Sequence, residues 1–270
     1  MTTGARQDVL LQRREGAVLV LVNNNPAARN ALSAEFYTAA TQALAEADAD
    51  PTVGAIVLTG AGGFFCAGGN LNQLATRREM APEDRRERLE LLHTFVRRLR
   101  DTAKPVIAAV EGGAAGAGMS LALACDLLVS SREAFFGVSY IKVGLTPDGG
   151  ITSFLAEFVS RQVLTELCLT GDRITAERLN ALGAVNRLVE PGSAEAEAIA
   201  LGQRMAEGPD RATARIKALC RGAHMRSLDE QLELEARAMV ESQGDDEAAE
   251  GIGAFLQKRR ADFTALRRRG

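Results

Sequence analysis

Two runs of apolar residues, 53–59 and 105–110, each pass directly into a small-residue loop: Gly60-Ala-Gly-Gly-Phe-Phe-Cys-Ala-Gly-Gly69 and Glu111-Gly-Gly-Ala-Ala-Gly-Ala-Gly118. A strand with no polar alternation is buried on both faces, the pattern of parallel strands covered by helices. Parallel strands need helical crossovers, and the chain supplies them. Ser33 reads as the N-cap of a helix reaching about Ala49, with Glu35 in its first turn. Residues 83–102 are charged but carry a stripe of Leu89, Leu92, Phe95, Val96 and Leu99. A hairpin is expected at 9–13 and 17–22, a small-residue helix at 119–124, and further strands at 126–130, 134–137 and 184–189. Residues 23–30, 60–69, 112–118 and 144–150 read as loops, and helices dominate from Ile151 onward. The pattern predicts an α/β fold in which residues 1–192 form the core and 193–270 a helical C-terminal region.

Composition removes several classes of function. The 270 residues are 46% apolar with net charge −3 and mixed signs, so no basic stripe for nucleic acid is expected. The one basic run, Arg267–Arg268–Arg269, reads as solvated tail. No apolar run approaches the ~20 residues of a membrane helix, and the N-terminus has no apolar signal core. The four cysteines, at 66, 125, 168 and 220, are too scattered for a Cys-x-x-Cys site, which predicts reduced thiols and a cytoplasmic location. Two histidines, His93 and His224, argue against a metal centre.

The loops that follow the two apolar strands carry the chemistry. Ligands of α/β sheets gather beyond the carboxyl ends of the strands, and glycine there lets a ligand approach the main chain. Two such loops can each aim one N–H at a shared carbonyl oxygen, which makes an oxyanion hole; the same glycines also suit tight turns and close helix packing. A dinucleotide fingerprint is absent, because Gly116 and Gly118 are followed by Leu121 where a third glycine is needed, and no phosphate-loop motif occurs.

Five ordered motifs resemble the crotonase, or enoyl-CoA hydratase/isomerase, superfamily over nearly the whole chain. Asn24-Asn-Pro-Ala-Ala-Arg-Asn-Ala-Leu-Ser33 is similar to its CoA-binding segment, and Phe65-Cys-Ala-Gly-Gly-Asn-Leu71 to its first oxyanion loop. The stretch from Lys104 to Asp126 resembles the second, Phe136-Gly with Gly144-Leu-Thr-Pro-Asp-Gly-Gly150 the third, and Glu250–Arg259 the helix that closes over the adenine. The resemblance implies a spiral of ββα turns and a homotrimer or dimer of trimers. It implies an acyl-CoA thioester substrate, with no cofactor beyond that CoA. It assigns the oxyanion donors to the N–H groups of Gly69 and Ala117, the latter at a position usually glycine. It places Ala28, Arg29, Phe255 and Lys258 around the CoA, and Ala67, Gly68, Asn70, Leu71, Gly113, Gly116, Gly118 and Pro147 along the site.

The chain departs from the hydratase pattern at two positions. Family hydratases use two glutamates; the matching positions here are Ser120 and Tyr140. A hydroxyl and a phenol of pKa ~10 are poor bases near neutral pH; both are expected to shape the pocket or to hydrogen-bond the substrate. Asp148 is the acid left in the third loop, where some family isomerases carry their base, including ring-metabolising ones with a similar Pro-Asp-x-Gly. The resemblance therefore favours isomerase-type proton transfer with Asp148 as base, its pKa raised by an apolar pocket. Asp148 equally suits the N-cap of the helix near Ile151. Hydration of a 2-enoyl or ring-derived (oxepin-type) CoA ester and non-catalytic CoA-ester binding are the alternatives. Glu111 and Glu157 are further acids in poorer positions, and His93 reads as a surface or partner contact. Ser120, Asp148 and His224 also occur in the chain order of a serine hydrolase, but ten residues separate Val110 from Ser120 where a nucleophile elbow needs an immediate turn.

Overall fold

The computed structural model describes residues 8–267; the first seven residues, with the start of the expected signal-free N-terminus, and Arg268 and Arg269 of the basic run lie outside them. The chain runs β1 (Leu10–Glu15), β2 (Val18–Asn23), α1 (Ala34–Ala49), β3 (Ala55–Gly60), α2 (Leu71–Thr76), α3 (Pro82–Asp101), β4 (Val106–Val110), β5 (Gly113–Ala115), α4 (Ala117–Ala124), β6 (Leu127–Ser131) and β7 (Phe135–Gly137). It continues with α5 (Ile151–Ala156), α6 (Arg161–Thr170), β8 (Arg173–Thr175), α7 (Ala176–Ala181), β9 (Arg187–Val189), α8 (Ala194–Ala206), α9 (Asp210–Cys220), α10 (Leu228–Gln243), α11 (Asp246–Leu256) and α12 (Phe263–Arg267).

Six strands form one sheet in the order β1-β2-β3-β4-β6-β9. Only the β1–β2 hairpin is antiparallel, with Leu10 opposite Asn23; β2 through β9 run parallel, as their unbroken apolar sequences require. Successive residues point to opposite faces. Val18, Val20, Val57, Ile107 and Val129 face α8, which covers them with Ala194, Ala198 and Leu201. Leu21, Ile56, Leu58, Val110 and Leu128 face the other way, into a core shared with α1, α3 and α4. There the predicted stripe of α3 meets α1: Phe36 and Phe95 pack edge to face at 5.6 Å. Ser33 caps α1 as its sequence suggests, accepting from the Phe36 N–H.

A second sheet, β5-β7-β8, stands against the glycine loops. Two of its strands are absent from the sequence reading. Residues 113–115, expected as loop, pair in parallel with Phe135–Gly137, and Arg173–Thr175 pairs antiparallel to the same strand. Three-residue strands of Gly, Ala or Thr show no periodicity to detect. Helix α4 also begins at Ala117, two residues before the expected start, because its opening residues are glycine and alanine.

Beyond α8 the packing changes. No residue of α9 or α10 is buried, and α11 buries only Ala254. Ile216, Leu228, Val240, Ile252 and Phe255 are exposed instead. No helix among the described residues is long and apolar enough to cross a membrane.

Candidate active site

The first glycine loop is held from behind by a buried asparagine. Asn30, fully buried and left-handed at φ 57°, donates through Nδ2 to the carbonyls of Ala61 (2.8 Å) and Phe64 (2.5 Å). Its Oδ1 accepts from the Asn25 N–H at 2.9 Å. The Cys66 thiol donates to the Asn30 carbonyl, and burial pushes that thiol up to about 12, so it stays protonated. Ala67 N–H reaches the Arg29 carbonyl and Leu32 N–H the Gly68 carbonyl. Asn30 lies within the Asn24–Ser33 motif, yet its sequence signal is only a polar residue in a loop; its role depends on partners some thirty residues away.

The second loop locks onto the first. Cys66 N–H donates to the Gly113 carbonyl and Ala115 N–H to the Cys66 carbonyl. Gly68 has φ 93°, and a Cβ there would lie 2.7 Å from the Ala115 carbonyl and 3.4 Å from the Ala117 nitrogen. Gly116, at φ 51° and ψ −129°, turns the chain into α4, and Gly118 admits no side chain against Cys66. Gly69 and Ala117 are thus brought onto adjoining loops. Ala117 is the first residue of α4, where N–H groups lack helical acceptors and the helix dipole is positive. Neither its N–H nor that of Gly69 donates to another main-chain group among the described residues.

Asp148 anchors the third loop. Its Oδ1 accepts from the Tyr140 hydroxyl at 2.8 Å, and its carbonyl accepts from Ser120 Oγ at 3.1 Å. The two residues at the hydratase glutamate positions therefore both bind Asp148. Gly149, at φ 63°, packs against the Ser120 side chain and Leu92. Burial raises the Asp148 pKa above its ordinary value; the Tyr140 bond and the charges of His93 and Arg77 act against that rise. Burial and the neighbouring carboxylate drive the Tyr140 phenol far up, so Tyr140 is a donor and not a base. Asp148 is no helix cap: the N-cap of α5 is Gly150, with no side-chain bond to the helix.

Other predicted residues take definite places. Asn70 caps α2, accepting from Asn72 and Gln73 N–H groups, and Leu71 projects 57% exposed beside it. Pro147 is half-buried. Gly113 lies in β5 under Phe135. Ala28 ends a short 3-10 turn, Pro26–Ala28, and Arg29 follows it in the left-handed region, its guanidinium 5.6 Å from the Phe64 ring. Phe255 and Lys258 lie exposed at the end of α11, with no hydrogen bond or ion pair to the glycine loops. Glu111 accepts from the Ala194 N–H and so caps α8, while Glu157 pairs with His224 at 3.5 Å. The hydrolase reading falls here, because Ser120 is buried inside a helix with its hydroxyl on a carbonyl and His224 is engaged elsewhere. His93 is half-buried and meets Glu90 at 3.2 Å.

Two small-residue loops after parallel strands, joined to a carboxylate in the third loop through Ser120 and Tyr140, make up the candidate site. The enoyl-CoA hydratase/isomerase family model matches residues 13–266. The chain belongs to the enoyl-CoA hydratase/isomerase family. Among solved structures it is similar to an enoyl-CoA hydratase from Polaromonas sp. JS666, with a TM-score of 0.91 and 43% identity, covering 94% of this chain and 98% of that one. It is 33% identical to the 1,2-epoxyphenylacetyl-CoA isomerase of Escherichia coli, over 95% of this chain and 98% of the relative. It is 34% identical to the 2,3-dehydroadipyl-CoA hydratase of the same organism, over 94% and 98%. As a member of this family, the chain has the mixed α/β crotonase fold that its motifs imply.

Proposed function

We propose that this enoyl-CoA hydratase/isomerase catalyses isomerase-type proton transfer on an enoyl-CoA thioester, with Asp148 as the single general base and acid. The Asp148 carboxylate takes a proton from C2 of a 3-enoyl-CoA. The electron pair delocalises into a dienolate, whose oxygen accepts hydrogen bonds from the N–H groups of Gly69 and Ala117. The carboxylic acid then returns the proton to C4, giving the 2-enoyl-CoA. Backbone donors already in place at a developing oxyanion supply the largest electrostatic contribution in such chemistry. A raised carboxyl pKa makes Asp148 a stronger base and a ready acid, as both half-reactions need.

The observation that carries this reading is the use of Ser120 and Tyr140: the hydratase glutamate positions serve to hold Asp148. The similarity to 1,2-epoxyphenylacetyl-CoA isomerase supports it. Ala28, Arg29, Phe255 and Lys258 border the CoA, with the two cations suited to phosphates by charge; Ala67, Gly68, Asn70, Leu71, Gly113, Gly116, Gly118 and Pro147 line the site. No cofactor beyond the substrate's CoA is needed. The exposed apolar residues of α9–α11 suit a homotrimer or dimer of trimers, and the enzyme works in the cytoplasm. Hydration is the second reading, favoured by the similarity to 2,3-dehydroadipyl-CoA hydratase; water would then be activated by Asp148 alone.

Parallel assays with crotonyl-CoA and a 3-enoyl-CoA decide between the two. Isomerisation is expected to exceed hydration. Asp148→Asn is expected to lower kcat on the 3-enoyl-CoA by about 10²–10⁴, the usual share of a general base. The base form must be ionised, so activity falls as pH drops through the Asp148 pKa, which lies above 3.8. Full isomerase activity in the Asn variant would remove Asp148 from the mechanism.

A further inference from the structure

Asp148 is held by only one of its two carboxylate oxygens. Oδ1 accepts from the Tyr140 hydroxyl at 2.8 Å, while no hydrogen bond or ion pair from the described residues reaches Oδ2. The same phenol oxygen lies 3.3 Å from the Asp148 carbonyl, which also accepts from Ser120 Oγ at 3.1 Å. Ser120 stands one turn beyond Gly116, its N–H on the Gly116 carbonyl. A Cβ on Gly116 would lie 3.7 Å from Cζ of the Tyr140 ring. The ring therefore spans from the turn that precedes Ala117 to the carboxylate. Its main chain is fixed as well: Tyr140 lies in a 3-10 turn, Ser139–Val143, and its carbonyl accepts from the Leu145 N–H.

A carboxylate turns easily about its Cβ–Cγ bond, because that torsion is broad and two-fold. A bond from a fixed donor to one oxygen removes the freedom. Burial first, and then the Asp148 carboxylate, drive the Tyr140 pKa far up, so the phenol keeps its proton. A neutral carboxyl has one oxygen that carries a proton and one that only accepts. With the phenol donating to Oδ1 throughout, the proton of the acid form belongs on Oδ2.

We propose that Tyr140 is a positioning residue that confines proton transfer to Oδ2 of Asp148, so that the hydrogen taken from C2 of the thioester is the one returned to C4, from the same oxygen and on the same face. The C2–H bond breaks, its electron pair enters the dienolate and an Oδ2–H bond forms. That bond then breaks as the dienolate takes the proton at C4. The inference deepens the reading of Asp148 as base and rests on it. Without the phenol hydroxyl the carboxyl turns, Oδ1 also takes up protons, and the transferred hydrogen is lost to solvent.

The test follows an isotope. A 3-enoyl-CoA dideuterated at C2 is turned over in ordinary water to low conversion, and mass spectrometry counts the deuterium at C4 of the product. Tyr140→Phe, which keeps the ring against Gly116, is expected to retain less deuterium at C4 than wild type. Its kcat should fall by up to about 10²-fold, the effect of a misplaced reacting group, with KM little changed. The acid limb of its kcat/KM profile should move to higher pH, because the lost bond favoured the ionised carboxylate. The other titratable or charged groups around Asp148 are His93 on α3, held against Glu90 at 3.2 Å, Arg77 beyond α2, and Tyr37 on α1, whose pKa burial raises. None of them changes in Tyr140→Phe, so the difference between the two profiles reports the bond. A thermal melt checks that the variant is folded; a tyrosine that merely packs would move neither the label nor the acid limb. Equal deuterium retention in the two enzymes, or an acid limb that stays in place, overturns the role of Tyr140 while an inactive Asp148→Asn leaves the base standing. Full isomerase activity in Asp148→Asn removes the base and this inference with it.

Discussion

Helices α8 and α9 follow one another and are of similar length, yet they are attached by opposite means. α8 lays Ala194, Ala198, Leu201 and Ala206 on the large sheet, and Gly202 lets it approach so closely that a Cβ would lie 3.1 Å from Val18. α9 buries nothing apolar and leaves Ile216 59% exposed. What fixes α9 is charge. Lys217, with its side chain 8% exposed, meets Asp126 at 2.7 Å and donates to the carbonyls of Leu99 and Lys104. Lys104 and Arg267 both pair with Asp210 at the start of α9. The apolar body is therefore sealed by α8, past the division expected at 192/193. The glycine loops and Asp148 lie on that body, whereas Phe255 and Lys258 lie among the helices held by ion pairs.

Four measurements test this contrast. The largest effect is expected at the charge anchor. Lys217→Met takes a buried ammonium from the partly exposed Asp126 and from two carbonyls, and losing hydrogen bonds to a charged group costs about 1.5–3 kcal/mol each; a denaturant melt within 1 kcal/mol of wild type would show that α9 is held by something else. Next comes the site itself. Ala117→Pro deletes one N–H at the first position of α4, where proline suits helical geometry; kcat should fall about 10²–10³ with the fold kept. An unchanged kcat would show that this amide does not hold the oxyanion. Third, Leu201→Ala on α8 should cost about 2–3 kcal/mol, and Ile216→Ala on α9 under about 0.5 kcal/mol; equal costs would erase the distinction between the two helices.

The smallest effect concerns Asp148 and stability. Its folded pKa is raised, so the folded chain holds the proton more tightly than the unfolded chain does. Stability is therefore highest below the unfolded value and is lost as pH rises through the folded one. Asp148→Asn should melt no lower than wild type at pH 7, and the gap should close as pH falls toward 3.8. A lower melting temperature for the variant at pH 7 would mean that the ionised carboxylate stabilises the fold.

The large sheet was legible because it is written in long apolar runs: β2, β3 and β4, with Ser33 and the α3 stripe, fall within two residues of where periodicity puts them. β5 and β8 were not, since three small or polar residues become a strand only when Phe135–Gly137 arrives beside them. The site divides in the same way. The glycine loops and Asp148 were visible as motifs. The bonds from Ser120 and Tyr140 to Asp148 were not, because they join residues 28 and 8 positions apart.

Gly118 sets the separation of the two amide-bearing loops by what it lacks. A methyl group there would lie 2.8 Å from the Cys66 Cβ and closer still to the Cys66 carbonyl. Since real Cβ atoms do not come that near main chain, any other residue would wedge the two loops apart. Ala117 and Gly118 are thus neighbours under unequal constraint: one carries a methyl, while the other acts as a spacer one hydrogen thick. Engineering aimed at larger acyl groups therefore has room to vary the walls around Asp148, but not the thickness of this seam.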